Sequence, residues 1–216
     1  GDFKPGAIVM GYAKSGDDLL YVTNRYNIGY VVSDYYANGS FWCSYPNKSF
    51  KQRPGRAVKA ENGKIYVSVV FSDGDNVQFD QNALYAIWTE DTDRGAFPVG
   101  TTLCAGMQEL NPFLLEWYYN HMSPNDELMA GPSGYQFIYG RDYSEEGYEK
   151  WLGLNRRWLA SAGFKTACFW HTSYGTDRFY RYVETAGLEG VFNGDDDVIL
   201  DYHNGVIIMN QGDHLV

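Results

Sequence analysis

Short apolar runs alternate along this chain with stretches in which apolar residues recur every three or four positions, almost from end to end. The runs predict seven strands: Ala7–Tyr12, Tyr30–Ser33, Ile65–Phe71, Thr101–Ala105, Glu127–Ala130, Lys165–Trp170 and Glu189–Phe192. Ile65–Phe71, rich in β-branched and aromatic residues, reads as the strongest of them and as buried on both faces. Helix signals fall between the runs. Ser15-Gly16-Asp17-Asp18 opens one helix, and Leu84, Ile87 and Trp88 mark a second. Asn111-Pro112 caps a third that ends near His121, and Ser144 opens a long fourth stopped by Gly163. A fifth spans Thr176–Ala186, and Asn204-Gly205 between apolar runs is a two-residue hairpin turn. Strand–helix alternation predicts an α/β fold: a βα barrel-like sheet of about seven parallel strands with crossover helices, TIM-like or an incomplete barrel, with a C-terminal β-hairpin. An open doubly wound sheet is the alternative. The long irregular stretch from Asp34 to Gly63 exceeds ordinary connections and predicts a functional or covering role.

Composition narrows the function. The 216 residues suit one domain, 1–216, and the N-terminal Gly1-Asp2-Phe3-Lys4, without a signal-peptide core, reads as a processed end or the start of a C-terminal domain of a longer chain. A net charge of −10 without a Lys/Arg cluster argues against nucleic acid as a partner, and no apolar run approaches membrane-spanning length. Cys43, Cys104 and Cys168 share no metal or disulfide spacing; Cys104 and Cys168 read as small buried hydrophobes. Aromatic residues make up 17% of the chain, many in loops, where their faces can pack on the C–H faces of sugar rings. No cofactor pattern is present: no G-x-G-x-x-G, no H-x-x-x-H or H-E-x-x-H, and no G-x-S-x-G. Nothing in the sequence marks an oligomeric state.

In a βα barrel the site lies where strands end. Those ends supply Asp34 and Tyr35; Asp73, Asp75 and Asn76; Gln108 and Glu109; Ser133, Tyr135 and Gln136; Trp170 and His171; and Asn193 and Asp195. Each taken singly is equally a helix cap or a turn. The segment Phe71-Ser72-Asp73-Gly74-Asp75-Asn76 is the sharpest, a strand that runs directly into two carboxylates and an amide. Glycosidic cleavage needs one protonated and one ionised carboxyl group across the bond, and Asp75, Asp73, Asp34 and Glu109 are the candidates. Asn76, Tyr35, Ser133, Tyr135, Trp170, His171 and Asp195 are the candidate substrate contacts.

Val32-Ser33-Asp34-Tyr35, VVFSDGDNVQ over Val69–Gln78, Phe97-Pro98-Val99-Gly100, Pro112, Tyr118-Tyr119 and Gly131-Pro132-Ser133-Gly134 follow one another in an order that resembles the C-terminal domain of the GxGYxYP family. The resemblance runs from about Gly11 to Trp170, and S-D-G-D-N-x-Q is its most specific part. At the naming motif this chain has Gly134-Tyr135-Gln136-Phe137-Ile138-Tyr139-Gly140, a divergent version. The resemblance implies a glycoside hydrolase-type protein of Bacteroidetes, secreted, periplasmic or at the cell surface, with a glycan as substrate. Two other readings stay open: a metal-dependent polysaccharide deacetylase using Asp73 and Asp75 as ligands, and a non-catalytic glycan-binding module.

Overall fold

The computed structural model describes residues 3–13, 15–53, 59, 61–169, 176–194 and 200–210. The strands are β1 (Ile8–Gly11), β2 (Gly29–Val32), β3 (Val70–Phe71), β4 (Val99–Leu103), β5 (Asp126–Ala130), β6 (Thr166–Phe169), β7 (Gly190–Asn193), β8 (Leu200–His203) and β9 (Val206–Asn210). The helices are α1 (Gly16–Asn24), α2 (Gly39–Trp42), α3 (Val77–Gln81), α4 (Ala83–Glu90), α5 (Met107–Leu110), α6 (Pro112–Asn120), α7 (Glu145–Ala162) and α8 (Thr176–Thr185). Seven strands form one sheet in the order β3-β4-β5-β6-β7-β9-β8, parallel except for β8, which runs antiparallel to β9 at one edge. The turn between β8 and β9 has Asn204 and Gly205 both at positive φ, the conformation that an Asn-Gly hairpin requires. The fold is α/β with a mostly parallel sheet, and among the described residues no pairing closes it into a cylinder.

The helices form where their caps dictate. Ser15, Asn111 and Ser144 accept N–H groups of the first turns of α1, α6 and α7, and Gly163, in the left-handed region, ends α7. On α7, Tyr148, Trp151, Leu152, Asn155, Trp158 and Leu159 form the buried stripe that packs on the sheet.

Two expectations need correction. Only Val70 and Phe71 pair as β3; Ile65 is 92% exposed and Val67 78%, so the stretch before β3 is not a strand buried on both faces. Its β-branched residues fit a strand geometry, but among the described residues main-chain pairing begins only at Val69, whose carbonyl accepts Gly100 N–H at 2.9 Å. Second, β1 and β2 do not extend the large sheet. They pair in parallel with each other, and the other edge of β2 meets Phe137 through two main-chain hydrogen bonds at Tyr30 and Asn76 through a bridge at Val32. Both contacts lie beyond the C-terminal ends of β5 and β3, so the β1–α1–β2 unit roofs that end of the sheet.

The stretch from Asp34 to Gln52 forms a strap along α6. The Tyr36 hydroxyl donates to Leu110 O at 2.6 Å, Trp42 stacks on Phe113, Lys48 pairs with Glu116, and Phe50 stacks on Tyr119 with ring centroids 4.4 Å apart. At its end the Gln52 amide accepts from Leu128 N and donates to Leu128 O and Gly163 O, filling the gap where β5 and β6 share only the Ala130–Ala167 pair.

Candidate functional site at the strand ends

After β3 the chain turns across the ends of its neighbours. Asp73 has φ +70, in the left-handed region that Asp tolerates better than most residues. The Gly74 N–H donates to Thr102 Oγ1 at 3.0 Å, and the Thr102 hydroxyl donates to Phe71 O at 2.9 Å. A β-carbon on Gly74 would lie 1.9 Å from Thr102 O, and one on Gly131 would lie 2.7 Å from Asp75 N. Glycine at both positions lets this loop lie directly on the ends of β4 and β5. Asn76 then caps α3, its Oδ1 accepting N–H groups of Gln78 and Phe79.

Asp75 therefore sits over the middle of the sheet. Burial pushes its carboxyl up to about 6, with the like charge of Asp73 adding and a backbone N–H opposing. Its charge is felt by Cys104 beyond β4 and by Cys168 on β6, both thiols being raised chiefly by burial. From the roof, the Tyr30 hydroxyl donates to Gly11 O at 2.5 Å; burial raises it, and Asp34 and Asp75 both add. The charges of Asp34, exposed at the end of β2, and of Asp75, half-buried at the end of β3, thus both reach Tyr30. Tyr35 is 83% exposed, and its N–H donates to Gln78 Oε1.

Three of the remaining candidates, Glu109, Ser133 and Tyr135, follow β4 and β5. Glu109 accepts the hydroxyl of buried Tyr135 at 2.5 Å, beside Trp158 of α7. Ser133 is buried, its hydroxyl 3.4 Å from Ile138 O. Both Glu109–Tyr135 and Ser133 brace the loop after β5 among their neighbours. Trp170, His171 and Asp195 lie outside the described residues. Among the described residues no group of three or more His, Cys, Asp or Glu side chains is arranged to hold a metal ion, and no helix is long and apolar enough to cross a membrane.

One residue escaped the pattern at the strand ends. Asp80 on α3 is fully buried; its Oδ2 lies 3.5 Å from Cys104 N, its Oδ1 has no partner, and its main-chain oxygen accepts the Tyr118 hydroxyl. Burial holds its carboxyl well above the usual range, with Asp75 and Asp73 adding. A signal was available: Val77, Asp80 and Leu84 share the inward stripe of α3 and α4, so an acid sits at a core position.

In an α/β sheet the C-terminal ends of the strands, where Asp73 and Asp75 stand, are the common place for ligands to bind. Residues 63–209 match the family described as "GxGYxYP putative glycoside hydrolase C-terminal domain", and the chain belongs to it. No curated protein matches. The fold is similar to the crystal structure of a "putative hydrolase" from Bacteroides thetaiotaomicron VPI-5482, with a TM-score of 0.81 and 22% identity. That alignment covers 93% of this chain and 41% of the other, so the chain spans about two fifths of that protein's length.

Proposed function

We propose that this domain takes part in glycoside hydrolysis, with Asp75 as the general acid and Asp34 as the second carboxyl group. The observation that carries this reading is Asp75 itself: a half-buried carboxyl at the strand ends that keeps its proton to about pH 6. A glycosidic oxygen must be protonated as its bond breaks, and an acid with a raised proton affinity can do so near neutrality. Asp34, exposed at the end of β2, is open to a substrate or water from solvent. Asp73 adds negative charge at the same edge, and Tyr35 offers an exposed ring to a sugar face. Glycan as substrate and a location outside the cytoplasm belong to this same reading.

Asp75→Asn tests it. Turnover of a cleaved glycan should fall by about 10²-fold or more, with the thermal midpoint little changed. In the native protein, kcat should decline as pH rises through about 6, because the acid form is lost there. Undiminished turnover in Asp75→Asn would remove Asp75 from the mechanism.

A further inference from the structure

The strap and α6 enclose a groove that the reading above leaves unused. It holds a cavity of about 420 Å³ lined by Tyr45, Lys48, Phe113, Glu116, Trp117 and Asn120, with Pro46 at its edge. We propose that this groove binds a neutral glycan chain. The proposal rests on the glycosidase reading for glycan as the ligand class but on its own observations for the groove.

Three observations carry it. First, the lining combines aromatic rings with hydroxyl-binding groups. Tyr45 and Phe113, 37% and 41% exposed, pack with ring centroids 5.1 Å apart, while Lys48 Nζ and Glu116 Oε1 stand 2.5 Å apart beside them and Asn120 is exposed. Rings take the C–H face of a sugar, and the ion pair and the amide offer donors and acceptors to its hydroxyls. A groove meant for a purely apolar occupant has no use for the polar side. Second, the charges in the lining cancel, one Lys against one Glu, and the chain as a whole carries −10. That balance favours an uncharged polymer over a sulfated or uronic acid one. Third, the strap that forms one wall of the groove is anchored along its length. The strap starts at Asp34 and Tyr35, passes Tyr36 on Leu110 and Trp42 on Phe113, and reaches Tyr45 and Lys48. Main-chain and side-chain anchors at both ends, including Gln52 on Leu128, hold this path in place.

Affinity electrophoresis of the full chain through gels containing xylan, mannan, galactan, amylopectin or, as the polyanion, chondroitin sulfate tests the inference. Migration of the native chain should be retarded by at least one of the four neutral polysaccharides and not by chondroitin sulfate. Tyr45→Ala and Phe113→Ala together should weaken that retardation about tenfold. Tyr45→Ala alone, at an exposed position, should weaken it with the melting temperature unchanged, which covers the case in which the double variant folds poorly. Asp75→Asn should be retarded as strongly as the native chain, so that binding in the groove is read apart from catalysis. No retardation by a neutral polysaccharide, or retardation by chondroitin sulfate alone, overturns the proposal. Equal retardation of the native chain and Tyr45→Ala does so too. If Asp75→Asn keeps its turnover while the groove variants lose retardation, the groove stands and the glycosidase assignment of Asp75 falls.

Discussion

Asp80 occupies a position that hydrophobic side chains fill elsewhere on the same stripe, and its burial makes its protonation state a stability matter. The folded chain holds its carboxyl well above the ordinary range, so the folded state keeps a proton that the unfolded chain releases above about pH 4. Stability is then greatest below that pH and is lost as pH rises toward the folded value, by up to about 1.4 kcal/mol per pH unit. Asp75 contributes a loss of the same sign that ends near pH 6. Asp80→Asn removes the larger of these terms while keeping the side chain's shape. Urea unfolding of Asp80→Asn and the native chain should show the variant gaining markedly more at pH 7 than at pH 4. An equal difference at the two pH values would mean that Asp80 is ionised in the fold. The amide's own unpaired N–H costs the same at both, so it cancels from this comparison. Asp73 and Asp75 were legible in the sequence because they follow an apolar run into a glycine turn. Asp80 was less so: its only signal is the spacing that puts it on one stripe with Val77 and Leu84, and the strand-end pattern does not reach into a helix.

At the scale of elements, the caps and turns were the most legible features, since each depends on a few adjacent residues. Ser15, Asn111, Ser144, Gly163 and Asn204-Gly205 do in the fold what their chemistry implies. The stretch before β3 shows the opposite case. Strand propensity describes how a residue sits beside a neighbour, and among the described residues Ile65 through Ser68 make no main-chain pairing with another strand, which starts only at Val69 O with Gly100 N. The exposure of this stretch makes a direct check possible. Ile65→Lys with Val67→Lys should change the unfolding free energy by less than about 0.5 kcal/mol, as at other open surface positions. A strand buried on both faces would instead be unfolded by two such charges. Chemical denaturation of the double variant separates these cases. A drop of several kcal/mol would restore the longer strand.

At the scale of the whole molecule, the boundary of the family match and the boundary of the folded unit disagree. The match begins at residue 63, yet the earlier residues are built into the site and into the sheet. Tyr30 shares two main-chain hydrogen bonds with Phe137, Asn24 Oδ1 accepts Tyr139 N, and Asn27 Oδ1 accepts Ser144 N. Gln52 satisfies the backbone of Leu128 in mid-sheet, and Leu20 and Tyr30 cover Phe137 as a small core of their own. The sequence did not disclose this arrangement, because which distant backbone an edge strand meets is a long-range choice that no local pattern encodes. A fragment comprising residues 63–216 would leave Leu128 N–H and C=O unpaired inside the protein and expose Phe137 and the rim beneath the roof. Each unmet buried backbone group costs about 1–3 kcal/mol, and the lost apolar cover adds to that, a sum comparable with the whole stability of an ordinary domain. The fragment should therefore lack a cooperative thermal transition and bind a hydrophobic dye, while the full chain melts in one step. A fragment that unfolds cooperatively within a few degrees of the full chain would instead make residues 1–62 an accessory to an independent domain, and Asp34 and Tyr30 an addition to its site rather than part of its foundation.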